Sequence, residues 1–101
     1  MSRSRIIRLS NVVTEDDLES DEGYEDILND LRDNGERFGK LVNVVINLKP
    51  PGVGKVFMEY EDLDAASTAR LALNGIPLGL DNFIVAEYYP ENMYAQGYLN
   101  A

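Results

Sequence analysis

The chain has no cysteine and no histidine. The first absence excludes disulfides, thiolate metal sites and a cysteine nucleophile. The second excludes a histidine-based triad and imidazole ligation of a metal. No apolar run approaches the roughly 18 residues that a membrane-spanning helix needs. The opening residues Met1-Ser2-Arg3-Ser4-Arg5 lack the apolar core of a secretory signal. Internal repeats and low-complexity segments are also missing. What remains is a chain of 101 residues, long enough for one domain and too short for two. A domain of this size buries roughly two-thirds of the surface its unfolded form exposes, which makes one modest core and leaves little room for a deep catalytic cavity. Apolar residues are 45% of the chain and charged residues 27%, near globular averages, which argues against wholesale disorder. The expectation is a soluble, non-secreted, intracellular domain spanning 1–101, with residues 1–4 and 99–101 flexible, no membrane partner, no cofactor and no metal. Enzymatic activity is not expected, because the carboxylates that remain as candidates cluster on an exposed helix rather than in a cleft.

The net charge of −9 is unevenly spread. Between Thr14 and Glu36 stand eleven acids and a single base, Arg32, while the rest of the chain holds eight bases and seven acids. One segment therefore supplies the whole acidic field. Such a field repels phosphate backbones and draws basic peptides. The plain alternative is a solvated helix face followed by an acidic loop.

Arg5–Val13, rich in β-branched and aliphatic residues, reads as a strand running into a loop. Ser20 or Asp21 caps a helix whose first turn is crowded with acids, where the helix dipole favours them. Tyr24, Ile27, Leu28, Leu31 and Phe38 recur near the 3.6 period, with Gly35 as a small contact on the same side and Gly39 closing the helix. Leu41–Leu48 reads as a second strand and Lys49–Gly52 as a turn. Lys55–Tyr60 alternates, with Val56, Met58 and Tyr60 on one side and Lys55, Phe57 and Glu59 on the other. A second helix spans Asp62–Leu73, an irregular link Ile76–Leu80, and a fourth strand Asn82–Tyr89. Met93, Tyr94, Tyr98 and Leu99 lie in the tail that follows. The order βαββαβ is the split βαβ, ferredoxin-like arrangement of an α+β domain: a four-stranded antiparallel sheet, two helices on one face, and a C-terminal tail or short helix.

This order is that of the RNA-recognition motif, whose third strand carries exposed aromatics that stack bases. The matching octamer here is Val53-Gly54-Lys55-Val56-Phe57-Met58-Glu59-Tyr60. Lys55 stands where an RNA binder has its first aromatic, and Arg8 stands where the first strand is expected to offer a second stacking ring. Of the aromatic platforms only Phe57 survives. One platform is worth about 1–3 kcal/mol per stacked base, which is little against an acidic chain. Phe57 is expected instead to pack beneath the tail that carries Tyr94, Tyr98 and Leu99.

The stretches Asn11–Leu18, Asp21–Ile27, Leu41–Ile46, Pro51–Tyr60 and Tyr89–Gly97 together resemble the C-terminal domains of the U2 snRNP auxiliary factor (U2AF) large-subunit family, especially its plant members. That domain type is the U2AF homology motif, an RNA-recognition-motif fold turned to peptide binding. The resemblance implies a nuclear splicing factor acting at the 3′ splice site. Its partner would be a peptide with basic residues preceding one tryptophan, from the branch-point-binding protein or a U2 snRNP subunit, and RNA contact would be weak or indirect. In the family the tryptophan enters between the two helices, an acidic row on the first helix meets the basic residues, and an Arg-x-Phe tripeptide after the second helix lines the pocket.

Carried over, the acidic row falls on Asp26 and Asp30, four apart and on one helix face. Its third member, a glutamate in the family, is Asn34, and the nearest substitute, Asp33, sits about 100° round the helix. The tripeptide position reads Ile76-Pro77-Leu78. The lost glutamate and arginine are the two ends of the family's ion pair, and losing both avoids stranding one charge. The peptide-binding candidates are thus Asp26, Asp30, Asp33, Asn34, Leu31, Ile76 and Leu78. The alternatives are an RNA-binding sheet face using Arg8, Lys55 and Phe57, or a divergent paralogue that has lost the pocket and acts as a dimerisation or scaffold piece.

Overall fold

The branched and aliphatic runs become four strands, β1 (Ile6–Ser10), β2 (Leu41–Ile46), β3 (Val56–Tyr60) and β4 (Val85–Tyr89), in a computed structural model that describes residues 2–100. They form one antiparallel sheet in the order β2-β3-β1-β4. Three helices accompany it: α1 (Asp21–Gly35), α2 (Leu63–Leu73) and the short α3 (Glu91–Ala95). The expected βαββαβ order is present, with α3 as the short C-terminal helix.

Alternation on the two central strands sorts side chains onto the two faces. Ile7 and Leu9 of β1 and Val56, Met58 and Tyr60 of β3 join Leu28 and Leu31 of α1 and Ala65, Ala66 and Ala69 of α2 in the main core. Burying one such large apolar side chain stabilises by about 1.5–3 kcal/mol. Ile6 and Phe57 point the other way and pack with Tyr89 in a smaller cluster.

Both long helices start on the caps their sequences offer. The Ser20 hydroxyl accepts from the Gly23 N–H at 3.0 Å, and the Asp62 carboxylate accepts from the Ala65 N–H at 2.8 Å. Gly35 is buried, and a Cβ there would meet Leu41 and Met58. Its carbonyl accepts from the Tyr60 hydroxyl at 2.8 Å, which ties the end of α1 to β3. Burial pushes the Tyr60 hydroxyl well above the ordinary tyrosine pKa. Gly39 follows a 3-10 turn at Glu36–Phe38 and has φ +148°. A side chain at Gly39 would collide with the Ala65 methyl of α2.

Four expectations shift. β1 stops at Ser10 because Asn11 turns left-handed (φ +73°), a conformation that asparagine tolerates. β2 stops at Ile46 because the Asn47 side chain serves the following turn, donating to the Pro51 and Gly52 carbonyls at 3.2 Å and accepting from Lys49 N–H. The link at Ile76–Leu80 is one arm of a small β-hairpin whose other arm takes up Asn82–Ile84, so β4 begins only at Val85. The terminal residues expected to be loose are engaged: Arg3 pairs with Asp64, the buried Ser4 hydroxyl donates to the Tyr89 carbonyl at 2.6 Å, and Leu99 packs on the smaller cluster. Met1 and Ala101, part of the same expectation, lie outside the described residues.

Candidate functional site

Two surfaces compete for the functional role, and their geometry separates them. The first is the sheet face turned away from α1 and α2. After Pro90 the chain folds back across it as α3, laying Met93, Tyr94 and then Leu99 over Ile6, Val45, Phe57 and Tyr89. Phe57, the surviving ring of the stacking platform, is 0% exposed. It meets Tyr89 edge-on at 4.8 Å between centroids and Tyr94 at 6.3 Å. An aromatic pair contributes about 0.5–1.5 kcal/mol beyond its buried area. The Phe57 ring, the stacking contact of the RNA-binding alternative, is covered here by the segment that follows β4, as expected of its packing beneath Tyr94 and Leu99. Of the three tail residues expected over Phe57, Tyr94 and Leu99 pack there, whereas Tyr98 is half exposed and contributes its backbone carbonyl, which accepts from the Tyr89 hydroxyl at 2.6 Å.

The charged residues of this face are engaged as well. Arg8 meets Glu87 at 2.7 Å, with its guanidinium 5.4 Å from the Tyr89 ring centroid, and Lys55 donates to the Ser10 hydroxyl at 2.8 Å. Arg5 latches the start of α3, its guanidinium on one Glu91 oxygen at 2.6 and 2.9 Å and its N–H on the other at 3.1 Å. That contact holds the Glu91 carboxyl below its ordinary pKa and raises that of Arg5. Burial, aided by the nearby Glu59 carboxylate, pushes the Tyr94 hydroxyl up to about 12.

The second surface is the outer side of α1 together with the hairpin after α2. Asp26, Asp30, Asp33 and Asn34 are all exposed on α1. The Asn34 side-chain amide donates to the Asp30 backbone carbonyl at 2.9 Å, so the third position of the row is turned back onto its own helix. Leu31 is 8% exposed and belongs to the main core. It supports the helix from beneath, and its side chain is taken up by the core. Ile76 and Leu78 stand partly exposed on the hairpin.

That hairpin is well fixed. Leu78 N–H donates to Asn82 O at 2.8 Å and Ile84 N–H to Ile76 O at 2.9 Å, which leaves Pro77 and Phe83 facing each other in a pair that needs no donor from proline. The Asn11 side chain holds the Phe83 carbonyl at 3.0 Å. Phe83 is 54% exposed and Leu80 wholly so. Neither is among the sequence candidates, although a glycine-centred turn between two apolar arms, Pro77–Phe83, is itself a hairpin signal. Among the described residues no group of three or more acids could hold a metal ion, and no helix is long and apolar enough to cross a membrane.

The strand order and helix placement define an RNA-recognition-motif (RRM) domain. The solved structure of the Rna15 RRM matches with a TM-score of 0.60 at 22% identity, covering 93% of this chain and 99% of that one. The Rna15 RRM with bound RNA matches with a TM-score of 0.55 at 21% identity, covering 93% and 96%. In sequence the chain is 51% identical over 100 residues to a splicing factor U2af large subunit of Arabidopsis thaliana, covering 93% of this chain and 17% of that protein. It is 47% identical over 100 residues to a U2af large subunit of Nicotiana plumbaginifolia, covering 93% and 18%. The serine/threonine-protein kinase Kist of Pongo abelii matches at 35% over 94 residues, covering 93% and 22%. No family model matches. The chain is thus a homologue of one segment of the U2AF large subunit, and it spans about a sixth of the length of the U2AF relatives it matches.

Proposed function

We propose that the chain is a non-catalytic protein-interaction module of a nuclear pre-mRNA splicing factor. It binds a basic, tryptophan-containing peptide through the acidic side of α1 and the hairpin after α2. The observation that carries this reading is the contrast between Phe57, wholly covered by the C-terminal segment, and Asp26, Asp30 and Asp33, which stand in solvent on one helix. Lysines and arginines of the peptide meet these carboxylates, an attraction that steers encounter and weakens with salt over a Debye length of about 8–10 Å. A tryptophan finds apolar contact on Ile76 and Leu78 of the hairpin. The partner is a segment of another splicing factor, of the branch-point-binding or U2 snRNP kind. The same fold occurs with bound RNA in the Rna15 RRM, but a base reaches Phe57 here only after α3 has left the sheet. Titration of the labelled domain with a basic tryptophan-bearing peptide, followed by NMR, tests the reading. Shifts on α1 and the hairpin are the expected result; shifts confined to the sheet face with a pyrimidine-rich oligonucleotide, and none with millimolar peptide, would overturn it.

A further inference from the structure

The two edge strands of the sheet, β2 and β4, are finished differently. Beside β4 the chain covers its own edge. The Asn74 side chain accepts from the Ala86 N–H at 2.9 Å, and Ile84, just ahead of the strand, bonds to both Gly75 and Ile76. β2 has no such cover. Asn47 bonds to Gly54 and Lys55, so Asn47, Val45 and Asn43 turn their backbone groups towards β3, and Val44 and Ile46 turn theirs outward. Of those outward groups only the Val44 N–H has a partner among the described residues, the side chain of its own neighbour Asn43 at 2.9 Å. Val44 and Ile46 are 5% and 4% exposed with their side chains in the main core, so the edge offers a narrow strip of backbone rather than an apolar patch.

Proteins blunt an unpaired edge with charge, proline or a bulge. β2 has a bulge at one end only, between Leu41 and Asn43, and residues 41–48 carry no charge. Two open hollows lie along it, one of about 170 Å³ beside residues 41–44 and one of about 310 Å³ beside residues 46–49. Val42 and Leu48, about half exposed, stand at its two ends. Charge names the occupant. Between Glu36 and Glu59 the chain has no acid and four bases, Arg37, Lys40, Lys49 and Lys55. Lys40 and Lys49 bracket β2; Lys40 meets Glu61 at 4.0 Å, and Lys49 has no ion pair among the described residues. A second copy laid antiparallel on β2 would bring these lysines together, between chains of net charge −9. A basic peptide meets the same lysines, and a nucleic acid has no strand to add. We propose that β2 accepts an added strand from a protein partner whose extended segment is uncharged in the middle and acidic at both ends. Its middle takes the outward N–H and C=O groups of Val44 and Ile46, as in other strand additions, and its acids meet Lys40 and Lys49. None of Asp26, Asp30, Asp33, Ile76 and Leu78 takes part, so this binding and that of a basic peptide stand or fall separately.

The probe is a peptide of about nine residues, about 30 Å when extended, with valine and threonine alternating in the middle and two aspartates at each end. One control carries lysines for the aspartates. The other is N-methylated at its middle amides, so it keeps the charge and loses the backbone donors. The expected result is movement of the amide signals of residues 42–48 and slower exchange of the Ile46 amide with the aspartate peptide, and neither with the controls. Lys40→Glu combined with Lys49→Glu raises the Kd about tenfold. Both side chains are exposed, so the variant keeps the fold, and an unchanged spectrum away from β2 verifies that. Equal binding of either control, shifts confined to α1 and the hairpin, or no shift at millimolar peptide would each overturn the proposal. So would slow exchange at Ile46 without peptide in a sample that sediments as a dimer, since a second copy would then hold the edge.

Discussion

The two faces of the sheet are closed by different means. The inner face is sealed by two full helices, with Met58, Val56, Ile7 and the alanines of α2 at its centre. The outer face is sealed by the segment that follows β4, Glu91–Leu99, which covers Phe57 and is tied on by Arg5–Glu91 and the Tyr89–Tyr98 bond. Both bury their central side chains completely, yet one cover is two full helices and the other is a short strap of chain held by a few contacts near each of its ends. Burial alone therefore does not show how firmly a surface is closed. The number of elements that must move to open it does.

Substitutions can break this comparison. Met58→Ala on the inner face should cost the most, about 3 kcal/mol, because α1 and β3 are too rigidly joined to collapse into the space. Chemical denaturation would read the loss as a lower midpoint with an unchanged slope. Phe57→Ala on the outer face should cost less than an aromatic deletion usually does, about 2 kcal/mol, because the strap can settle inward. Amide exchange should accelerate across Glu91–Leu99 but not in α1; equal acceleration in both would show that the two covers are one cooperative unit.

High pH sharpens the contrast. Tyr60 under α1 and Tyr94 under the strap both have raised pKa values in the folded state. Their contribution to stability is fully present below pH 10, where the unfolded chain also keeps its protons, and is lost as the pH rises towards and beyond 12. Denaturation at about pH 9 and about pH 11 should show this fall, and Tyr60→Phe and Tyr94→Phe should each flatten it. The smallest effect is expected of Glu91→Gln. Its carboxyl sits below the ordinary range, so what the latch contributes is present at neutral pH and lost as the pH falls through that lowered value. The exposed pair should barely move the thermal midpoint, and faster exchange confined to the strap is its signature.

Most of the fold was legible from periodicity. The alternation of Lys55–Tyr60 assigned Phe57 and Met58 to opposite faces correctly, because a strand's side-chain period admits no other result. Ser20 marked the start of α1 for a local chemical reason, whereas Gly39, expected to close that helix, closes the 3-10 turn that follows its end at Gly35. The hairpin was read as an irregular link because Pro77 argues against a strand, although its partner Phe83 lies only six residues further on. Asp26 and Asp30 could be placed on one face from spacing alone. Spacing also put Leu31 on the apolar face with Tyr24, Ile27 and Leu28, where the core takes it; that Asn34 would bond to its own helix depends on rotamer choice, which spacing does not encode. Phe83 was missed because its neighbours Ile84 and Val85 made the whole run look like strand.

Gly39 and Ala65 touch with no space for anything larger at the glycine, whose backbone angle also disfavours any side chain. Sequence drift at these two sites is consequently coupled. A bulkier residue at either must wait for the helices to part, so descendants of this chain should keep both small residues long after the exposed faces of α1 and α2 have diverged beyond recognition.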